Sequence, residues 1–292
     1  FTKLFAYNSI DKITNNYYKY DLQYPELQSD QLKIYPCSTV EWTKIKEWYD
    51  KGYYKPYSED EEKLIELIIY IKNNVFPWIR INRIIRDIPN INIIGGNKNV
   101  NLHQKIINRG DIHSSCIRSR EVKTNIKDID NAELFIREYN GVLSTEYFIS
   151  YESPDNKILY GFLRLRINHT NDDLIYPELK DCSFIRELHV YGTMVNHNQK
   201  QLKNSVQHYG FGKKLMETAE EICIQNNIHK IAVISGVGVR QYYEKLGYKL
   251  YNNYMIKTIQ HIQNRNYVFE YTLLLTIIIL LISILYDSIY DY

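Results

Sequence analysis

SFIRELHVYG (Ser183–Gly192) and QHYGFGKKLMETAEE (Gln207–Glu221) read in succession as a strand, a polar loop and a glycine-punctuated turn that opens a helix. Leu215, Met216, Ala219 and Ile222 recur at helical spacing, so the helix should bury one face. Gln207, Gly210 and Gly212 fall as Q-x-x-G-x-G. A side chain at either glycine would hold an anion away from the backbone. Glycine instead lets the free N–H groups of the first helical turn, and the macrodipole, act on it. Lys213 and Lys214 add positive charge. The pattern predicts a cradle for a pyrophosphate, although so short a glycine pattern also fits an ordinary helix start.

The neighbouring sequence narrows the choice. Phe184–Tyr191 offers a strand edge to a pantetheine arm, and KIAVISGVGVRQYYEKLGYKL (Lys230–Leu250) reads strand, loop, short helix, strand. This order resembles the acetyl-CoA-dependent N-acetyltransferases of the GNAT type. RELHVYG, QHYGFGKKLMETAE, KIAVISGVGVRQYYEKLGY and YMIK resemble the acetyltransferase domain of the Elongator catalytic-subunit family. KIYP, WIRINRIIRDIP and CIRSREV extend the resemblance from about residue 30 to residue 257.

The resemblance implies an α/β fold: a GNAT-type mixed sheet flanked by helices, preceded by the C-terminal part of a radical S-adenosylmethionine domain with a partial TIM-like barrel. The units would fall at residues 1–90 for the radical part, 91–125 for a linker and 126–258 for the acetyltransferase. In the family, the positions matching Glu187, Leu188, His189 and Val190 line the acetyl-CoA site, as do Phe211, Gly212 and Lys213. Tyr243 matches a tyrosine at the cofactor, placed to donate to the thioester sulfur. Tyr242 reads as packing. Glu187 or His189 could serve as base. Strand alternation puts these two on one face, with Leu188 and Val190 on the other, and Glu187 is favoured.

The implied reaction is modification of the wobble uridine of tRNA, with acetyl-CoA as acetyl source and a radical from S-adenosylmethionine, cleaved at a 4Fe-4S cluster, activating the acetyl methyl. Implied partners are tRNA and the other Elongator subunits. The family's cluster-binding cysteine triplet has no counterpart in this sequence, and the expectation is that it precedes Phe1. Two rivals stay open: a protein lysine acetyltransferase, which would use the same cofactor loop with a peptide groove, and a membrane-tethered module that binds without catalysis.

Composition bounds the rest. The 292 residues, 45% of them hydrophobic, suffice for one large or two modest cores. A formal net charge of +2 gives no global case for nucleic acid, so an RNA surface must come from local clusters. Arg80, Arg83 and Arg86, spaced by three beside Trp78, form one candidate, and Arg118 and Arg120 another. The arginine next to Glu121 also reads as a structural ion pair. Cys37, Cys116, Cys182 and Cys223 are scattered, without zinc or disulfide spacing. Family members hold a structural zinc with three cysteines where this chain has Ser114, Cys116 and Ser119, so no metal site is expected even with His113 or His103 nearby.

The C-terminal region departs from the family. YVFEYTLLLTIIILLISILY is apolar on every helical face, and Tyr271–Tyr286 carries no charge over about 24 Å. A transmembrane tail anchor is expected at 268–286. Lys257, His261 and Arg265 precede it and Asp287 and Asp291 follow, which would place the catalytic units on the cytoplasmic face of the endoplasmic reticulum or mitochondrial outer membrane.

Overall fold

The computed structural model describes residues 1–84, 88–99, 101–110, 112–122, 129–172, 174–191 and 209–259. In chain order its elements are β1 (Tyr7–Lys12), β2 (Tyr17–Leu22), β3 (Gln31–Lys33), α1 (Lys44–Asp50), α2 (Glu61–Asn74), β4 (Arg80–Arg83), α3 (Leu102–Asn108), α4 (Ile117–Arg120), β5 (Glu133–Asn140), β6 (Ser144–Glu152), β7 (Leu159–Asn168), β8 (Cys182–Val190), α5 (Phe211–Gln225), β9 (Lys230–Val233), α6 (Arg240–Lys245), β10 (Lys249–Tyr251) and β11 (Tyr254–Thr258). The described strands form a nine-stranded sheet ordered β1-β2-β5-β6-β7-β8-β9-β11-β10, and a separate β3–β4 pair. β5 to β8 are successively antiparallel, and β8 and β9 pair in parallel.

β7 is covered on both faces, which is why nearly every residue of LYGFLRLRIN is buried. Leu163, Leu165 and Ile167 share a core with Leu215, Met216, Ala219 and Ile222 of α5 and with Tyr243 of α6. The apolar spacing read in α5 is the stripe that makes this contact. Phe162 and Phe148 belong to a second core on the other face, with Ile71, Phe76, Trp78 and Ile79 from the first part of the chain. There Trp78 stacks between Phe76 and Tyr139, at centroid separations of 4.5 and 4.3 Å. Such aromatic burial supplies much of the attraction that joins the two parts.

Several expectations change. The hairpin β1–β2 was expected with the radical unit, yet Tyr17–Tyr20 pairs in parallel with Ile136–Tyr139 of β5 and extends the nine-stranded sheet. Asp60 caps α2 by accepting from the Lys63 N–H at 3.2 Å. Ser58 is buried and donates to the Cys37 carbonyl at 2.8 Å. The expected fold class is corrected for the described residues, among which no helix is long and apolar enough to cross a membrane. The segment 268–286 lies outside the described residues.

Candidate active site

A bulge in β8 shapes the site. Arg164 of β7 faces Glu187 and Leu165 faces Ile185, so Arg186 is the extra residue. A bulge bends its strand and sharpens its twist. It coincides with the end of the β8–β9 pairing, which runs from Cys182↔Lys230 to Ile185↔Val233, followed by one longer contact from the Ile234 N–H to the Ile185 carbonyl at 3.4 Å. Beyond that point β8 continues to Val190 while β9 has stopped. The two strands therefore fork. Among the described residues, the β9-facing edge of Glu187–Val190 has no strand partner.

The start of α5 lies beside the fork. Gly210 takes a left-handed conformation, with φ of 67°, and its carbonyl accepts the Lys214 N–H at 3.1 Å. Among the described residues no side chain caps the helix, so the first-turn N–H groups remain available. Phe211 is buried and stacks on Tyr151 at 4.5 Å, and Tyr209 donates to Asp130 Oδ1 at 2.6 Å. These contacts fix the turn. A β-carbon on Gly212 would stand 2.8 Å from Tyr242 Oη and 3.6 Å from Val190 Cγ2, which brings the helix start, the β8 end and α6 together. Lys213 is exposed and only 3.4 Å from Glu217. Gln207 lies outside the described residues.

Leu188 and Val190 pack against the α5 core, whereas Glu187 points to the opposite face and accepts from Arg164 Nε at 2.9 Å. The expected alternation holds downstream of the bulge, and the bulge places Arg186 on the same face as Glu187: both Arg164 and Arg186 pair with Asp30. His189 is exposed on that face, 4.4 Å from the Tyr191 ring. Glu187 is thus an ion-paired carboxylate between the two parts of the chain. Arg164 and Asp30, absent from the predicted site, hold it there. The paired arginines of GFLRLRI were visible in the sequence, but their acidic partner, over a hundred residues away, carried no local signal.

Tyr243 is buried against Tyr248, with ring centroids 6.1 Å apart, and burial pushes its phenol up from the ordinary tyrosine value. Among the described residues its hydroxyl has no hydrogen-bond partner, so it keeps its proton and has a free donor. Tyr242 is not simply packing. Its ring is partly exposed, its hydroxyl borders Gly212, and burial, with Tyr243 and Glu217 adjacent, pushes it up to about 12. Ser235 Oγ and Arg240 Nε, just past the forked strand, are buried without partners. The unpaired strand edge, the uncapped helix start and these orphaned polar atoms fit acetyl-CoA, whose pantetheine amides and pyrophosphate would supply the missing partners.

Residues 29–110 match the radical SAM C-terminal domain family. The chain is 41% identical over 247 residues to Elongator complex protein 3 of Drosophila melanogaster, covering 81% of this chain and 44% of that protein. It is 39% identical over 247 residues to the tRNA uridine(34) acetyltransferase of Methanocaldococcus jannaschii, covering 81% of this chain and 45% of that protein. Over about four-fifths of its length the chain is similar to Elongator complex protein 3. Among solved structures, the archaeal Elp3 of Methanocaldococcus infernus with its N-terminus deleted superposes with a TM-score of 0.70 at 36% identity, over 80% of this chain and 57% of that one. The chain spans less than half the length of the curated Elongator complex protein 3 relatives it matches.

Against this family the expected RNA contacts divide. Arg120 is corrected: it is 5% exposed, donates to the Ser115 and Pro77 carbonyls at 2.8 and 2.9 Å, and pairs with Glu152 at 2.7 Å. Neither its surface nor its charge is free for RNA, and its acidic partner is not Glu121. Arg80 takes Glu121 instead, and also donates to Tyr191 Oη at 3.3 Å. Arg118 is exposed but bonded to the Asn82 carbonyl at 2.6 Å, and Arg83 is exposed on β4 with interactions of its own. Arg86 lies outside the described residues. At the degenerate zinc motif, Cys116 is buried, with its sulfur 3.0 Å from Ser119 Oγ. Burial pushes this thiol up, but hydrogen bonds to Ser114 and Ser119 outweigh it and bring it below the usual value. Among the described residues no group of three or more His, Cys, Asp or Glu stands close enough to hold a metal ion.

Proposed function

We propose that this chain binds acetyl-CoA in the β8–β9 fork and forms the acetyl-handling part of an Elongator-type enzyme acting on the wobble uridine of tRNA. The observation that carries the reading is the coincidence of the open β8 edge with the uncapped start of α5, where Tyr242 of α6 borders Gly212, in a chain 39% identical to a tRNA uridine(34) acetyltransferase. When bound, acetyl-CoA supplies an acetyl group activated as a thioester. The backbone N–H groups of Phe211, Gly212 and Lys213 hold the diphosphate, and the Glu187–Val190 edge offers hydrogen bonds to the pantetheine. Tyr243, whose phenol burial pushes up, is the residue that would donate toward the sulfur of bound acetyl-CoA. Glu187, the candidate base, is held by Arg164 on the face away from α5.

The radical SAM C-terminal match supports S-adenosylmethionine as the second cofactor of the assembled enzyme, with a 4Fe-4S cluster as its reductant site. The residues of this chain are assigned no role toward the cluster. tRNA and other Elongator subunits are the partners in this reading, as the names of the relatives suggest.

Acetyl-CoA hydrolysis by the purified chain, with and without tRNA, tests the proposal. Hydrolysis stimulated by tRNA is expected, and Tyr243→Phe should lower it about a hundredfold with acetyl-CoA affinity unchanged. Tyr242→Phe, at the rim, should alter turnover far less. Acetylation of peptides without any effect of tRNA would favour a lysine acetyltransferase instead, and equal loss in the two tyrosine variants would remove the specific role of Tyr243.

A further inference from the structure

Gly161 of β7 is buried inside the sheet, between Tyr151 of β6 and Val190 of β8. Glycine weakens a strand interior, and where it occurs it marks a bulge or the close approach of another backbone. Its φ is not in the left-handed region, so the backbone conformation does not call for glycine here. The neighbouring bulge, at Tyr160, faces β6. The crowding is on the other side: a β-carbon on Gly161 would stand 3.1 Å from the His189 carbonyl oxygen and 3.3 Å from both Cα and Cγ2 of Val190. That is closer than side chains ordinarily pack, and two of the three atoms are main chain.

Val190 is the residue on which the fork turns. Tyr191 donates its N–H to the Tyr160 carbonyl at 2.9 Å, so by strand alternation the N–H and C=O groups of Val190 and Leu188 point away from β7, toward the open edge. The same Val190 Cγ2 lies 3.6 Å from the place a β-carbon on Gly212 would take. One methyl group therefore fills the gap between β7 and the first turn of α5. The position of Val190 decides both where the polar groups of the edge lie and how near the helix start comes to them.

We propose that Gly161 is a positioning residue for the cofactor site: having no side chain, it lets the end of β8 lie hard against β7, which draws Val190 away from the line of β9 and holds the fork open beside the α5 amides. The inference rests on the acetyl-CoA reading above and adds to it a residue that acts only through Val190. The bulge at Arg186 begins the divergence of β8 from β9, and Gly161, opposite the far end of the strand, maintains it. A methyl group at position 161 pushes His189 and Val190 off β7 and drives Val190 Cγ2 toward the helix start. The edge and the helix amides then lose the spacing that lets one coenzyme meet both.

The test combines calorimetric titration of acetyl-CoA into the full chain with crystal structures of the coenzyme-free wild type and Gly161→Ala. Gly161→Ala should weaken acetyl-CoA binding about tenfold, the scale of one impaired hydrogen bond, with Val190 displaced from β7. An overpacked strand also loses stability, so Phe148→Leu, in the core on the opposite face, is the comparison: it should lower the melting temperature and leave affinity unchanged. Rescue separates the two roles further. Val190→Ala removes the one side-chain atom among the three contacts, so Gly161→Ala with Val190→Ala should bind acetyl-CoA more tightly than Gly161→Ala alone, whereas two independent lesions predict weaker binding. Wild-type affinity in Gly161→Ala, an equal loss in Phe148→Leu, or a further loss in the double variant overturns the inference. If the wild type binds no acetyl-CoA, the cofactor reading falls and the coenzyme-free structures decide this one: Val190 displaced in Gly161→Ala supports it, and Val190 unmoved overturns it.

Discussion

Gly212→Val is expected to weaken acetyl-CoA binding about a hundredfold while the protein still folds. The added β-carbon would stand 2.8 Å from Tyr242 Oη and near Val190, so the branched side chain must displace the tyrosine and cover the amides at the helix start. Losing two hydrogen bonds to the diphosphate, at about 1.5 kcal/mol each, gives that factor. The helix itself does not require glycine here, since valine has the better helix propensity. Gly210 is the contrasting case. Its surroundings are open, but its φ of +67° strains any L-residue, so Gly210→Ala should cost about 1 kcal/mol of stability with a smaller loss of binding. Calorimetric titration of both variants, with a thermal melt of each, separates the two effects.

Glu152→Ala is expected to destabilise the fold by about 3–5 kcal/mol, the range for removing one partner from a buried ion pair. Glu152 is fully buried. It accepts both Arg137 guanidinium nitrogens, at 2.7 and 3.0 Å, pairs with Arg120 at 2.7 Å, and takes the Ser150 hydroxyl at 2.6 Å. Alanine leaves two buried guanidiniums without their anion. Burial pushes the carboxyl up, but Arg137 and Arg120 outweigh it and hold it at about 2. The folded-state value lies below the unfolded one, so the stabilisation is present above the ordinary glutamate range. It is lost as pH falls from about 4.5 toward 2. Urea denaturation at successive pH values should show that loss in the wild type and a flatter profile in Glu152→Gln. An unchanged urea midpoint in Glu152→Ala would refute the role given to this cluster.

The parts legible in the sequence were those whose signal is local. The β8 alternation, the turn at Gly210 and the apolar stripe of α5 lie within a few dozen residues, and backbone preference and periodicity encode them directly. Pairing between distant segments was not legible. Nothing in YYKYDL announces that it will lie parallel to β5, because register is set by a partner over a hundred residues away. For the same reason Arg120 read as a neighbour of Glu121 and as a surface charge, whereas its partner is Glu152 across the core. The bulge at Arg186 was hidden too, since an extra residue in a strand leaves composition unchanged. Tyr242 and Tyr243 could not be told apart by type, and only the packing of α6 puts one at the rim and the other beneath it.

The central claim is that the amides at the start of α5 and along the open edge of β8 grip acetyl-CoA. Amide hydrogen exchange, followed by mass spectrometry with and without the coenzyme, reads those groups directly. Exchange should slow at Phe211–Lys213 and Glu187–Val190, and the slowing should vanish in Gly212→Val. Unchanged exchange in both segments at saturating acetyl-CoA, or protection confined to some other part of the chain, would contradict it.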